Sequence, residues 1–444
     1  MKKALAIVMA GVMALSLAAC GGDTSTSTAA STATSGSTAA TTGDATEITL
    51  WTYPVGNWKD SATVDGFIAK FNEKEPNIKV KVEYLDYQNG DDKVTTAIEA
   101  KNTPDIILEG PERLVSNWGA KGLMVDLSDL WTAETVADMT SESVTNACKG
   151  TDGKYYEYPM CMTAHNMAIN YEVFKEAGAL QYIDEENRTW TTENFVKALQ
   201  AVKDSGKVAT PAIVYCGGQG GDQGTRALVN NLYSGTYTNA EHTEYTVNSE
   251  QNVKALELLA DMKDKGLVDF NASMQAADEL QMFSNGTSAV SFCWNASNEA
   301  QYASQVGFTP FAMNFPTDDD KVELCGGIWG FGIFNNGDQA RIDAAKKFVQ
   351  FVCDDAVQGP ESVKATGFFP VRTSFGNVYE GTEDAERMGT FQAFLPNLGD
   401  YYNVTGGWTE QRTAWWNMLQ QIGGGADVTT AANTFVETAN AAIK

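Results

Sequence analysis

The chain has 444 residues, with 31 basic and 57 acidic side chains and a formal net charge of −26. That length allows two or three ordinary domains, and a composition of 43% hydrophobic and 20% charged residues fits a soluble globule. The charge speaks against a nucleic-acid binder, which needs a basic stripe. With His165 and His242 as the only histidines, it also lacks the residues for multi-histidine metal sites and for most histidine-activated nucleophiles.

Met1, Lys2 and Lys3 form a short positive start, and residues 4–19 are small and apolar. This run is short for a spanning helix and suits a signal-peptide core. It ends in Leu17, Ala18, Ala19, Cys20 and Gly21, which resembles the lipobox of bacterial lipoproteins. The resemblance implies cleavage before Cys20 and diacylation of that cysteine, and two acyl chains anchor stably. Residues 21–46 are Ser, Thr, Ala and Gly with two aspartates, so they form no core. They read as a flexible tether spanning roughly 25–30 Å.

The body then reads as α/β. Residues 47–53 alternate as a strand, and 60–75 form a helix with Val64, Phe67, Ile68 and Phe71 on one face, stopped by Pro76. Residues 77–84 alternate strictly, 93–101 read as a helix, and 104–108 are a short apolar strand of the kind found inside parallel sheets. This is a βαβ series, whose ligands bind beyond the carboxyl ends of the strands. Those ends are residues 51–58, 84–91 and 109–113. Further on, 190–205 and 251–265 are helical, 288–294 and 328–334 are strands, and 340–353 is a helix. Residues 411–444 are mostly helical with a break at Gly423, Gly424 and Gly425.

The segments Ile48-Thr-Leu-Trp-Thr, Pro76-Asn-Ile-Lys-Val, Asn102-Thr-Pro-Asp-Ile-Ile and Gly122-Leu-Met-Val-Asp-Leu-Ser, followed in order by 152–159, 169–178, 283–290, Gly326-Gly327, 344–351 and 367–372, resemble the extracellular solute-binding proteins of bacterial ABC importers. The likeness is to their carbohydrate-binding group, which includes maltose-binding protein. It implies two α/β lobes closing on a ligand in the cleft between them. One lobe would comprise residues 47–157 plus 308–358 and the other 158–305 plus 365–444, with hinge crossings near 158–164, 307–311 and 357–369. It further implies an extracytoplasmic, lipid-anchored monomer that delivers sugar to a permease with its ATPases. No catalysis, metal or cofactor is expected.

Sugars take aromatic faces against their C–H faces and bidentate polar groups on their hydroxyls. The expected ligand contacts are Tyr53 and Trp58 in the first strand-end loop, and Glu112 and Arg113 in the third. Tyr215 and Gln219 follow a strand at 212–214, and Trp294 ends another. Gly326, Gly327 and Trp329 match a loop where backbone approaches ligand, Arg372 follows a hinge-adjacent proline, and Trp408 matches a late stacking aromatic. Thr163, His165 and Asn166 lie near a hinge crossing, where a lone histidine more often has a structural role. The glycines at 217–218 do not form a phosphate loop, because no Lys-Ser/Thr follows. Within the sugars, a neutral disaccharide or short oligosaccharide is expected, since few arginines were identified to face an acidic one. A peptide or polyamine ligand, and more remotely a glycoside hydrolase needing two paired carboxylates, are the alternatives.

Overall fold

The computed structural model describes residues 45–218, 221–399 and 404–443, which belong to one compact unit. Cys20 and Gln219 lie outside the described residues. The strands are β1 (Thr46–Thr52), β2 (Ile78–Tyr84), β3 (Ile106–Glu109), β4 (Tyr158–Ala164), β5 (Asn166–Asn170), β6 (Ala212–Tyr215), β7 (Val268–Asn271), β8 (Val290–Trp294), β9 (Pro310–Met313), β10 (Gly326–Ile333) and β11 (Phe369–Pro370). The mixed α/β class and its two-lobe arrangement are those expected from the sequence.

The larger sheet has the order β11-β4-β10-β3-β1-β2. Strands β2, β1 and β3 run parallel, with helices Ser61–Lys74 and Gly90–Glu99 in the crossovers. Their carboxyl ends therefore emerge along one edge, where a twisted open sheet leaves room for a ligand. Val64, Phe67, Ile68 and Phe71 form the buried stripe of the first helix, spaced to face the sheet. Every residue of β3 is buried, which explains its unbroken apolar run. At its start the buried Asp105 accepts from the Thr49 backbone N–H at 2.7 Å and from Asn336 Nδ2 at 2.6 Å, and pairs with Arg341 Nη2 at 2.6 Å. One carboxylate thus joins the middle of β1 and the start of β3 to the loop after β10.

The second sheet is antiparallel, β8-β5-β9, and a short parallel pair, β6-β7, adjoins it through the isolated bridge between Thr210 and Ser288. The chain passes from the first sheet to the second across a single residue, His165, between β4 and β5. It returns between β9 and β10 and leaves the first sheet again after β11. All residues of β4 and β5 are buried, so this passage is packed from both sides.

The expected helices at 93–101, 251–265 and 340–353 are found as Gly90–Glu99, Glu250–Asp264 and Gln339–Asp354. Not foreseen was a single helical turn, Pro111–Arg113, running straight into a π-helical turn, Leu114–Gly119. Widened turns of this kind recur beside functional sites. Cys148, Cys161, Cys216, Cys293, Cys325 and Cys353 are buried free thiols, in keeping with a body large enough to need no covalent staples. No described helix is long and apolar enough to cross a membrane.

Trp58 is fully buried. Its ring stacks on Phe67 at 5.2 Å and meets Phe331 edge-on at 5.4 Å, and its indole N–H donates to the Ser362 carbonyl at 3.3 Å. Trp58→Ala should lower the unfolding free energy by about 3–5 kcal/mol through lost burial and the cavity left behind. Urea denaturation checks this, and an unchanged midpoint would remove Trp58 from the core.

Candidate functional site

A cavity of about 820 Å³ opens at the carboxyl ends of the parallel strands. One wall comes from the larger sheet: Pro54–Gly56 after β1, Tyr87 and Gln88 after β2, Glu109 at the end of β3 with Glu112 and Arg113 beyond it, and Trp329 on β10. The opposite wall is built by helix starts. Asp222 and Arg226 flank the start of Gln223–Leu232, Gln275 and Ala276 open Ala276–Ser284, and Asn295 caps Ala296–Tyr302. Asn295 Oδ1 accepts from the backbone N–H groups of Ser297 and Asn298 at 2.9 and 3.0 Å, which leaves this end fixed toward the cavity. Trp408 opens the helix Trp408–Gly423, and Arg412 stands one turn further along the same side. Gly407 precedes them at φ +71°, a left-handed conformation natural to glycine, with Ala442 packed where a Cβ would stand. His165, the single-residue passage between the two sheets, also lines the cavity.

Arg113 is the most connected side chain. Its Nε and Nη2 reach both oxygens of Asp91 at 2.7 and 3.0 Å, and its Nη1 meets Glu109 at 2.9 Å and Glu112 at 3.5 Å. Tyr53 donates its hydroxyl to the same Asp91 at 2.6 Å. The guanidinium lies over the rings of Tyr53 at 5.1 Å and Trp408 at 4.4 Å. Arg412 covers Trp408 at 4.3 Å, so this indole contacts two guanidinium groups. Across the cavity Asp222 meets Arg226 Nη2 at 2.8 Å and Arg412 Nε at 3.2 Å.

The electrostatics follow from this arrangement. Burial pushes the Glu109 carboxyl up to about 8; Arg113 opposes the shift, and Glu112 and Asp91 add to it. Burial also acts on Asp91, but the charge and hydrogen bonds of Arg113 prevail and hold it below the usual carboxylate range. Asp222 is lowered likewise, against its burial, by Arg226 and Arg412. Burial lowers His165 to about 4, with Arg226 adding and Asp222 opposing. The imidazole is therefore neutral at ordinary pH, and its Nε2 is buried without a hydrogen-bond partner.

Of the expected contacts, Glu112, Arg113, Trp329 and Trp408 line the cavity together. Tyr53 sits one layer behind, fully buried, with Tyr87 stacked on it at 5.1 Å. Gly326 and Gly327 lie on β10 two and three residues before Trp329 but outside the lining. Four others are packed elsewhere. Trp58 is in the core already described. Tyr215 is buried and donates to the Gly221 carbonyl at 2.5 Å. Trp294 is fully buried, edge-on to Phe283 at 5.3 Å, with its indole N–H on Glu299 at 2.7 Å. Arg372 is buried with Asp354, donates from Nε to the Cys353 carbonyl at 3.0 Å, and lies over Tyr158 at 5.2 Å. Each of these side chains has its partners within the fold and does not line the cavity.

The chief residues missed are Tyr87, Asp222 and Arg412, together with amides such as Gln275, Asn298 and Gln301. Tyr87 keeps 40% of its surface exposed although Tyr53 stacks on it at 5.1 Å and the Arg113 guanidinium lies 5.7 Å from its ring centre. Its loop, 84–91, was among the predicted strand ends, and an aromatic within it was a usable signal. The amides and Arg412 lie on helices whose approach to the cleft is set by tertiary packing. No local pattern marks them.

Residues 56–359 match the family described as bacterial extracellular solute-binding protein. The chain is 32% identical over 174 residues to the diacetylchitobiose binding protein DasA of Streptomyces coelicolor, a match that spans 39% of this chain and 37% of that protein. In fold it is similar to an ABC substrate-binding protein of Listeria monocytogenes solved with cycloalternan, at a TM-score of 0.70 and 19% identity over 90% of this chain and 99% of that one. It is similar also to the cyclic alpha-maltosyl-1,6-maltose binding protein of Arthrobacter globiformis, at 0.71 and 19% over 90% and 99%.

Because Glu109 titrates higher in the fold than in the open chain, the folded protein holds a proton there that the unfolded one releases between about pH 4.5 and 8. Its contribution to stability is complete below that window and is lost as pH rises through it. Glu109→Gln should therefore flatten the decline of melting temperature between about pH 5 and 8. An unchanged pH slope in the variant would show that Glu109 is ionised in the fold.

Proposed function

Since the chain belongs to the bacterial extracellular solute-binding proteins, we propose that it captures a disaccharide or short oligosaccharide in the cavity beside Arg113 and delivers it to a membrane permease driven by ATPases. The observation that carries this reading is the lining itself. A partly exposed aromatic at Tyr87 and a second aromatic at Trp329 stand among amides and charged groups that converge from both walls. Aromatic faces suit sugar C–H surfaces, and amides suit pairs of hydroxyls. The three relatives named above carry diacetylchitobiose, cycloalternan and a cyclic maltosyl-maltose in their names, which supports a saccharide over a peptide or polyamine.

In this reading the protein acts by binding and not by turnover. The lobes are taken as residues 47–157 plus 308–358 and 158–305 plus 365–444, moving about the passages at β4, β9–β10 and β11. Ligand selects the closed arrangement because only there do both walls touch it. The protein works as a monomer held at the outer face of the membrane by acylated Cys20. Membrane association that survives Cys20→Ala would remove the anchor from the proposal.

A thermal-shift screen of the purified protein against mono- and oligosaccharides, with amino acids, peptides and polyamines as controls, tests the class. At about a hundredfold excess over Kd, linkage gives about 2.7 kcal/mol of stabilisation, which is readily seen as a melting shift. A shift confined to the controls would overturn the saccharide reading. Trp408→Ala should weaken binding of the active sugar by about 1–3 kcal/mol, because Arg113 and Arg412 lose the ring that positions them. Unchanged affinity by calorimetry would take Trp408 out of the site.

A further inference from the structure

Among the described residues, four basic side chains line the cavity, Lys59, Arg113, Arg226 and Arg412, against three acidic ones, Glu109, Glu112 and Asp222. The whole chain runs the other way, 31 basic to 57 acidic. Asp91, behind the lining, answers Arg113 as a fourth carboxylate, and with Glu109 held toward its protonated form by burial a small positive excess remains inside an acidic protein.

The basic groups are not equally satisfied. Arg113 meets three carboxylates and uses all three of its nitrogens. Arg412 is 6% exposed and has one ionic contact, Nε to Asp222 at 3.2 Å, on a carboxylate that it shares with Arg226. Its Nη1 and Nη2 donate to no acceptor among the described residues. Trp408 supports the guanidinium at 4.3 Å. Burial, with Arg113 and Arg226 adding and Asp222 and Asp91 opposing, lowers the affinity of Arg412 for its proton. The group is therefore a desolvated, undercompensated cation whose free donors border the cavity. Neutral hydroxyls would satisfy those donors but leave the charge unanswered. A planar anion answers both, because the guanidinium fork matches two oxygens side by side.

Resting on the saccharide reading above, we infer that the captured oligosaccharide carries an anionic group, a carboxylate or a sulfate, and that Arg412 receives it. This reverses the expectation of a neutral sugar, which rested on too few arginines being identified in the cleft. The neutral part of the ligand then meets Tyr87 and the remaining polar groups. Of these, His165 Nε2 and Asn298 Oδ1 are buried without a partner.

Calorimetric titration of the purified protein tests this with two acidic probes, trigalacturonate for carboxylate and a sulfated chondroitin disaccharide for sulfate, and two neutral ones, maltotriose and N,N′-diacetylchitobiose. At least one acidic probe should bind about tenfold or more tighter than either neutral probe, and raising salt from about 0.05 to 0.5 M should weaken it. Arg412→Gln should weaken that probe by about tenfold or more, and Arg412→Lys, which keeps the charge, by less. The melting temperature of each ligand-free variant separates lost binding from lost folding. Tighter binding of a neutral probe overturns this inference and leaves the saccharide reading standing. An Arg412→Gln variant that holds the acidic probe as well as the parent overturns the role of Arg412. Binding of none of the four overturns this inference, and only silence across the wider sugar screen overturns the saccharide reading as well.

Discussion

The walls of the candidate site depend on one buried guanidinium. Arg113 stands at the end of β3 with Asp91, Glu109 and Glu112 around it and the rings of Tyr53 and Trp408 against it. A charge taken out of water is strongly unfavourable unless paired and hydrogen-bonded, and removing one partner of such a pair costs about 3–5 kcal/mol. The loops after β1, β2 and β3 are therefore not independent. Tyr53 from the first, Asp91 beyond the second and Glu109 from the third are held in register by the same group. Trp408, from a helix far along the chain, joins them through its ring. The π-helical turn after Arg113 belongs to this arrangement, since it carries the chain away from the cluster toward Trp118 and the smaller hydrophobic cluster.

Many aromatics of this chain are structural. Trp58, Tyr215 and Trp294 have the residue type and the strand-end position of ligand contacts, yet each finds a hydrogen-bond partner for its polar atom inside the fold. A large amphipathic ring near a strand end satisfies two demands equally well, a packed core with one buried acceptor or a sugar face with one wet edge. Sequence cannot separate these, because the difference lies in whether a second layer covers the ring. Helix Gln358–Thr366 provides that cover for Trp58, and Phe283 and Tyr302 provide it for Trp294. Tyr87 has Tyr53 stacked on it and the Arg113 guanidinium near its ring, yet keeps 40% of its surface exposed.

The order of strands and helices, the buried stripe of Ser61–Lys74, the continuous burial of β3 and the strand ends as the place for a ligand were legible from residue type and spacing. These depend on local periodicity and on the rule that parallel strands open at their carboxyl ends. Glu112 and Arg113 were reached through the resemblance to the solute-binding family, in a loop where they follow a wholly buried strand by three and four residues. What only the tertiary structure decided is which distant helix starts face those loops. Arg412, Asp222 and Asn298 come from three separate helices, and no spacing in sequence encodes their meeting. The charge of the cleft is likewise a tertiary property. A net charge of −26 describes the whole surface, whereas the field in a desolvated pocket is set by the few groups within reach and by how completely each is paired.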